Sequence, residues 1–396
     1  MTKTSFAKDS ILNFLAAVLP IVITQFLIFP YLARVNLSDT YGFIVVVYSL
    51  FSFAPGALGN VLNNVRLIHN RDWSNEDNSD FNLLLVISGV ISLGLSTPYI
   101  IASGFTDPIF LLLYAMTALM WMLREYGVVA FVADFDYRAV LINSLIMCVG
   151  YLIGFIFFCY GAHWAFTFFV GQLLSVVYIA KKSKIFVSGR KLTNRFRRTI
   201  KESGQLTCAT LVGRASTYCD RLVLFPLIGG TGVAIYYAAT LLAKIINMLS
   251  TAVNTVLLSR LSIKSASNKR EFFTVLCMGL AVCTICYILI NLLSSFILME
   301  LYPQFCDEAL QIVPLTAATS LVAVLSSLAS PYVLRFKSLS WQTIVPLISL
   351  IVYLVAAFLL LSEFGLIGFC TGALIAECLK LCVLILVFCL SHERAL

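Results

Sequence analysis

Long apolar runs without a charge recur along the whole chain, and they constrain its fold more than any other feature. A helix needs about 20 apolar residues to cross the hydrocarbon core of a bilayer, and the runs reach that length repeatedly. Of the 396 residues, 60% are hydrophobic and only 12% are charged, at a mean hydropathy of +0.96. A soluble domain carries about twice that share of charge. The sequence therefore predicts an integral membrane protein and argues against an extramembrane enzyme domain.

Helix is the expected structure of these runs, because a segment in lipid must satisfy its backbone hydrogen bonds internally. The first run follows Lys3 and Lys8 but is too long for a secretory signal, and no small-x-small cleavage site follows it, so we expect a retained span. The sequence predicts an all-α integral membrane protein with about twelve transmembrane helices, at 11–33, 42–65, 82–103, 108–132, 140–160, 163–180, 205–228, 232–258, 272–297, 309–334, 342–361 and 365–390.

The distribution of Lys and Arg predicts the orientation, since cytoplasmic loops carry an excess of these residues. With the N-terminus inside, 21 of the 27 Lys and Arg fall in cytoplasmic segments, five fall within spans, and Arg34 alone lies in an outer loop. Both termini are therefore expected in the cytoplasm. This bias also explains the net charge of +8, so no nucleic-acid partner is expected.

The longest connection divides the spans into two sets of six. We expect an N-terminal six-helix bundle at 1–180, a basic cytoplasmic connecting segment at 181–204 and a C-terminal six-helix bundle at 205–396. Weak echoes at offsets of 193 to 196 residues indicate a parallel repeat with a binding site between the halves. Examples are KDS at 8–10 with KES at 201–203, and Phe-Pro at 29–30 with Phe-Pro at 225–226.

The connecting segment has the pattern of a basic amphipathic helix. Leu192, Phe196 and Ile200 recur at four-residue spacing among many Lys and Arg, which is typical of a helix that lies on the inner leaflet. Contact with anionic lipid or with a lipid-linked phosphate is one interpretation. A positively charged tether between the halves is the simpler one.

Charges inside spans are costly and indicate a functional or a paired site. The seventh predicted span carries Arg214, Asp220 and Arg221, and the two arginines, seven residues apart, fall on nearly the same helix face. Such a helix is expected to line a wet cavity. Lys244 lies near the bilayer centre in the eighth span. Asp220 is placed to neutralise Arg221 or Lys244, and a structural ion pair is the alternative interpretation.

Glu377 and Lys380 in the last span are three residues apart and can pair on one face, either as a structural pair or as a substrate or ion site. Five of the charges within spans are basic and three are acidic, which favours an anionic ligand. The sequence lacks a phosphate-binding loop and a Cys–His cluster with zinc spacing, so we expect no cofactor, metal or ATP hydrolysis. Coupling to a proton or sodium gradient through Asp220 or Glu377 stays open.

Several short motifs, in this order, resemble those of bacterial Wzx-type polysaccharide flippases. They are KDSILN at 8–13, LAR at 32–34, YG at 41–42, DRLVL at 220–224 and GVAIYYAA at 232–239. Chain length, span number and the basic connection after the sixth span agree with the same family. It belongs to one superfamily with the multidrug and toxin extrusion (MATE) exporters and the lipid II flippases.

The resemblance implies two six-helix bundles that face each other in a V and a substrate that is an undecaprenyl-diphosphate-linked oligosaccharide, the repeat unit of O-antigen or capsule. Outward transport across the bacterial inner membrane would proceed by alternating access, with membrane lipids and other polysaccharide-assembly proteins as partners. The family's cationic cavity corresponds to Arg214, Arg221 and Lys244, and Arg34 lies where relatives often have a basic residue. The candidate substrate-binding residues are Arg34, Arg214, Arg221, Lys244 and Lys380, and the candidate coupling or ion-pair residues are Asp220 and Glu377.

Two rival functions remain. A multidrug or cation antiporter of the same superfamily would usually need an acidic cavity, whereas the charges within these spans are mainly basic. A membrane polysaccharide polymerase typically has a large outer loop with catalytic basic residues. The longest outer loop here, from Leu298 to Glu308, contains neither Lys nor Arg.

Overall fold

The computed structural model describes residues 3–68, 78–187, 192–262, 268–338 and 340–390. Within these ranges the regular secondary structure is helical and there is no strand, as the sequence predicts. The helices are α1 (Lys3–Ile23), a π-helical turn (Thr24–Ile28), α2 (Phe29–Val35), α3 (Ser38–Ile68), α4 (Asn78–Ala102), α5 (Pro108–Gly127), α6 (Val129–Ala133), α7 (Tyr137–Cys159), α8 (Ala165–Lys182), α9 (Phe196–Ala239), α10 (Leu241–Ser262), α11 (Lys269–Leu301), a 3-10 turn (Pro303–Phe305), α12 (Cys306–Phe336) and α13 (Trp341–Leu390).

Most of these helices correspond to predicted spans, whereas the predicted eighth span, 232–258, is divided between the end of α9 and α10. Ten helical stretches in the described ranges are long and apolar enough to cross a membrane, and one of them, Thr343–Leu390, has more than twice the required length. The first predicted span comprises α1, the π-helical turn and α2, and the fourth comprises α5 and α6. The predicted all-helical membrane fold is therefore confirmed.

Two glycines with positive φ divide the longest helices into pairs of spans. Gly229 in α9 has φ 76° and Gly365 in α13 has φ 59°, a backbone conformation that costs glycine little because it has no Cβ. The break at Gly229 separates the predicted seventh and eighth spans, and the break at Gly365 separates the eleventh and twelfth. Each pair of spans is thus joined by a backbone kink and not by a loop.

The chain forms two compact units. The first unit consists of Met1–Val35 and Ile44–Pro226, and the second unit of Asn36–Phe43 and Leu227–Leu396. Helix α3 accordingly begins in the second unit and continues in the first. The two units are separated within α9, and segment 181–204 belongs to the first unit. The proposed organisation into two six-helix bundles joined by that segment stays a prediction.

Small residues allow close helix packing inside the first unit. Helix α7 packs against α8, and α8 also packs against α5. A Cβ added at Gly150 of α7 would lie 2.6 Å from the Cα of Gly171 in α8, so the two backbones touch at this level. In the second unit, α12 packs against α10, α11 and α13.

The connecting segment is held against the start of α4 by three polar side chains, which we call the polar clamp: Asn78, Asp80 and Asn82. Asp80 is only 2% exposed and accepts hydrogen bonds from the backbone N–H of Thr193, at 2.9 Å, and from its hydroxyl. Asn78 and Asn82 donate to carbonyl oxygens within 184–187 at 3.0–3.1 Å. The described part of this segment is therefore fixed to the first unit.

The predicted amphipathic helix is observed in part: α9 begins at Phe196, and Leu192 lies before the helix. Phe196 packs against the apolar core of the first unit, whereas Ile200 is 43% exposed. Arg190 and Lys191, which were part of the basic pattern, lie outside the described residues.

We expect Asp80→Ala to lower the free energy of unfolding by about 2–4 kcal/mol, because two hydrogen bonds to a buried carboxylate are lost. The melting temperature of the purified protein in detergent measures this change. Asp134→Ala is the matched control, since Asp134 is an exposed aspartate in a short loop. Equal melting temperatures for the two variants would show that the polar clamp contributes nothing to stability.

Candidate functional site

Arg214 lines a wide, open cavity of the first unit. The cavity has a volume of about 370 Å³, and its described lining comes from α9. The lining residues recur at spacings of three and four, which places them on one face of the helix. They are Thr210, Gly213, Arg214, Thr217 and Tyr218.

This cavity face presents hydroxyl groups and one positive charge. Arg214 is half-buried, and its guanidinium can donate up to five hydrogen bonds in a planar fork that matches phosphate and carboxylate oxygens. The Thr217 hydroxyl donates to the carbonyl oxygen of Gly213 at 3.2 Å, which leaves it as an acceptor for a ligand. Thr210 and Tyr218 add further hydroxyl groups. The arrangement is suited to an anionic or sugar-bearing ligand.

Arg221 has a different environment, although it lies only seven residues further along α9. Its side chain is buried, and Nη1 donates to the hydroxyl oxygen of Ser49 in α3 at 3.0 Å. The Ser49 hydroxyl donates in turn to the carbonyl oxygen of Val45 at 2.8 Å. The guanidinium carbon lies 5.8 Å from the centre of the Tyr218 ring. Arg221 thus connects the cavity face to the interior of the first unit through Tyr218.

Asp220 lies beside Arg221 and forms a weak ion pair with it. Its Oδ1 is 4.0 Å from Nε of Arg221 and accepts a hydrogen bond from the backbone N–H of Arg221 at 2.9 Å. The hydrogen bond to the backbone of its own helix fixes the carboxylate beside Arg221. The structure thus brings these two predicted site residues together. A second contact fixes the same turn of α9, where the Tyr99 hydroxyl of α4 donates to the carbonyl oxygen of Leu222 at 2.8 Å.

We expect Ser49→Ala to lower the abundance and melting temperature of the protein, because it removes an acceptor of a buried guanidinium. Leaving a buried charged donor unsatisfied costs about 1–3 kcal/mol or more. The measurement is membrane abundance together with melting temperature in detergent. Ser103→Ala is the matched control, since the Ser103 hydroxyl donates only to the carbonyl oxygen of Tyr99 in its own helix segment. If Ser49→Ala matched this control, the contact with Arg221 would not stabilise the protein.

Lys244 belongs to the second unit, near the start of α10. Its Nζ lies 3.6 Å from the centre of the Tyr237 ring, a cation–π contact. Tyr237 is only 1% exposed, and its ring centre is 6.4 Å from that of Tyr41. The aromatic contact places the ammonium group beside a buried ring, and an ammonium group is a chemically suitable partner for an anion.

The other predicted site residues have separate environments. In the second unit, Nζ of Lys380 is 3.1 Å and 3.2 Å from the two carboxylate oxygens of Glu377, and both side chains are about a quarter exposed. In the first unit, Arg34 is exposed in the last turn of α2. Among the described residues, no group of three or more His, Cys, Asp and Glu side chains is placed to hold a metal ion.

Three contributors to these sites were not predicted from the sequence: Gly213, Ser49 and Tyr237. Gly213 and Tyr237 carried a usable signal, because Gly213 is adjacent to Arg214 and Tyr237 is seven residues before Lys244. Ser49 carried none, since it lies 172 residues from Arg221 and resembles any other serine of an apolar helix.

Comparison with solved structures finds the same fold in membrane transporters. An outward-facing multidrug resistance MATE family transporter of the MOP superfamily has a TM-score of 0.65 at 14% identity, over 96% of this chain and 94% of that chain. The lipid II flippase MurJ in an inward closed conformation has a TM-score of 0.65 at 15% identity, over 97% and 86%. An inward-facing MATE transporter has a TM-score of 0.62 at 13% identity, over 95% and 98%.

At these identities the likeness shows the fold alone. No protein-family model matches the sequence, and no curated protein matches it. The expected likeness to the superfamily is confirmed at the level of fold, whereas the narrower resemblance to Wzx-type flippases stays a prediction. The chain is a multi-pass membrane protein with the fold that the MATE transporters of the MOP superfamily share with MurJ.

Proposed function

We propose that this protein is a flippase that moves an anionic, lipid-linked oligosaccharide outward across the bacterial inner membrane by alternating access. The substrate class is an undecaprenyl-diphosphate-linked repeat unit of O-antigen or capsule. The single observation that carries the proposal is Arg214, a half-buried guanidinium on a hydroxyl-rich face of a cavity. A transporter fold shared with a lipid II flippase supports it.

Arg214 carries a charge that is costly at depth in a membrane. An arginine at depth in a span is unfavourable by at least several kcal/mol unless it has water or a counter-charge. A diphosphate supplies such a counter-charge during each transport cycle, and its apolar polyprenyl tail can stay in lipid while the sugars use the polar path. Lys244 offers a second, aromatic-supported cation in the other unit. Arg34, Arg221 and Lys380 remain further candidates for substrate contact.

A multidrug or cation antiporter is the second candidate function, favoured by the structural likeness to multidrug MATE transporters. Cationic drugs prefer an acidic or aromatic cavity. The described lining of the Arg214 cavity contains no Asp or Glu, so the observed charge favours the anionic substrate. Ion coupling through Asp220 or Glu377 is part of the proposal for either function, since each carboxylate lies next to a basic partner.

Complementation of a bacterial strain that lacks its own polysaccharide flippase tests the proposal. We expect the chain to restore surface polysaccharide and to leave the drug resistance of an exporter-deficient strain unchanged. Transport of a fluorescent polyprenyl-diphosphate oligosaccharide in proteoliposomes measures the same activity directly. Drug resistance without transport of the lipid-linked sugar would establish the antiporter function and reject the flippase.

A further inference from the structure

The first turns of α9 expose a face that bears both positive charge and an aliphatic side chain. Exposed residues recur at the spacing of one helix face, and the opposite side is buried through Thr199 and Ser203, which are 0% and 7% exposed. We call the exposed side the basic face and define it by Arg197, Ile200, Lys201 and Gly204.

The two cations of the basic face differ from their neighbour Arg198. Arg198 is neutralised by Glu202, with Nε 2.8 Å from Oε1. Within the described part of the chain, Arg197 and Lys201 have no acidic side chain within ion-pair distance. They lie one helical turn apart on the same face, so their charges add to one local positive potential. An anionic partner would relieve this repulsion.

Aliphatic side chains accompany these cations. Ile200 is 43% exposed and Leu192, just before the helix, is 49% exposed. Exposed aliphatic groups next to Lys and Arg are typical of a surface that rests at the boundary between acyl chains and headgroups. Two such side chains beside the cations fit a lipid boundary better than contact with a soluble phosphate alone.

The position of the basic face along α9 matches the headgroup layer. The predicted span begins at residue 205, and with a rise of about 1.5 Å per residue Lys201 lies ~6 Å and Arg197 ~12 Å beyond it. The headgroup region extends about 5–7 Å on each side of the hydrocarbon core. Electrostatic attraction continues for a further Debye length of about 8 Å. Both cations are therefore within reach of lipid phosphates.

The polar clamp fixes this surface before any lipid binds. Buried Asp80 holds Thr193, three residues before α9 begins. Because the backbone is already ordered, binding at the basic face costs little conformational entropy. This feature distinguishes the segment from a loose charged tether.

We propose that the basic face binds the anionic phospholipid headgroups of the leaflet that it faces, which gives the protein a phosphatidylglycerol-binding surface separate from the transport cavity. The observations that carry this inference are the two unneutralised cations, the exposed aliphatic side chains beside them and the fixed backbone. This lipid contact is independent of which substrate the protein transports.

The test measures which lipids surround residue 204 in the full-length protein. A donor fluorophore is attached at Gly204→Cys, where an added side chain meets nothing within 4 Å, in a variant without exposed native cysteines. The protein is placed in nanodiscs that contain phosphatidylcholine with phosphatidylglycerol, and either lipid carries the acceptor. We expect energy transfer to show about threefold or greater enrichment of phosphatidylglycerol near residue 204. Each cation close to an anionic surface contributes a factor of about five to binding, and the basic face has two cations.

Variants then assign the enrichment to the basic face. Arg197→Gln with Lys201→Gln should abolish it, Arg197→Lys with Lys201→Arg should keep it, and the exposed control pair Lys269→Gln with Arg270→Gln should leave it unchanged. High salt should lower the enrichment in the labelled Gly204→Cys protein that keeps both cations, which tests the electrostatic contribution without a charge substitution. Equal transfer from both lipids would overturn the proposal. Displacement of phosphatidylglycerol by inorganic pyrophosphate at constant ionic strength would also overturn it, in favour of a soluble phosphate ligand.

Discussion

Replacing Arg214 by Gln should reduce transport of a lipid-linked anionic oligosaccharide by about 10- to 100-fold, because a charge-assisted hydrogen bond contributes about 1.5–3 kcal/mol. Membrane abundance should stay near that of the unsubstituted protein. Arg214 is half-buried on a cavity face, and it has no ion pair within the described part of the chain. A neutral amide at this site therefore removes a ligand contact and leaves no buried charge unpaired.

The comparison with Lys at the same position tests the geometry of the contact. Arg214→Lys keeps the charge but loses the planar fork that binds two phosphate oxygens, so only partial transport is expected. Arg138→Gln is the matched control, since Arg138 is an exposed arginine at the start of α7. Transport is measured by surface polysaccharide in the complemented strain and by rates in proteoliposomes.

Adding Lys244→Gln to Arg214→Gln extends the test to the second unit. If both cations contact the substrate, the double variant should transport less than either single variant. Normal surface polysaccharide from a double variant of normal abundance would contradict the cationic-cavity hypothesis. Low abundance of the double variant would be traced by melting temperature in detergent, which separates a folding defect from a transport defect.

The transmembrane helices could be predicted from the sequence because lipid allows few alternatives. Once a run of apolar residues reaches the bilayer thickness, backbone hydrogen bonding requires a helix. Gly229 lies one residue after the predicted end of the seventh span, and Gly365 is the first residue of the predicted twelfth span. The helical structure of these segments thus follows from their apolar sequence and from the absence of water in the bilayer core that could satisfy backbone hydrogen bonds.

The contacts that shape the candidate site are not local, and this explains why the sequence did not reveal them. Ser49 and Arg221 are 172 residues apart, and Asp80 and Thr193 are 113 residues apart. The sequence next to Ser49 does not indicate Arg221 as its partner, and the sequence next to Thr193 does not indicate Asp80. The expectation that Arg214 and Arg221 share a face followed from helical periodicity, but periodicity could not show that Arg221 is buried against α3 while Arg214 lines the cavity.

The boundary between the compact units also depends on tertiary contacts. The Lys and Arg content and the length of segment 181–204 indicate a linker, and both can be read directly from the sequence. The polar clamp binds that segment to α4, and the compact units divide at Pro226, next to the backbone break at Gly229. Pro226 with Gly229 and Gly230 is a recognisable signal for a break in a helix. However, apolar helices contain many prolines and glycines where no boundary between units occurs.

Gly42→Ala is expected to leave most of the protein molecules unfolded, or to lower the free energy of unfolding by about 3 kcal/mol or more. This is beyond the usual cost of overpacking. A Cβ at residue 42 would lie 1.9 Å from the carbonyl oxygen of Gly230 and 2.5 Å from its Cα. These are backbone atoms, which have no alternative rotamer. The two helices would therefore have to separate.

The backbone around Gly230 cannot easily move away from residue 42. Gly229 already has a positive φ of 76°, and Thr231 is held by Asp39, whose Oδ1 accepts hydrogen bonds from the backbone N–H and the hydroxyl at 2.9 Å each. Asp39 and Gly42 both belong to the first turns of α3, so the same helix segment makes the hydrogen bonds and the close approach. A shift that relieved the clash would break the contacts of Asp39.

Gly94→Ala is the matched control, because a Cβ at this helical glycine meets nothing within 4 Å. Alanine there should be neutral or stabilise by about 0.5–1 kcal/mol through helix propensity. The yield of monodisperse protein after detergent extraction and its melting temperature measure both variants. If Gly42→Ala gave the yield and melting temperature of Gly94→Ala, the start of α3 would not pack on the Gly229–Gly230 break, and the assignment of 36–43 to the second unit would have to be abandoned.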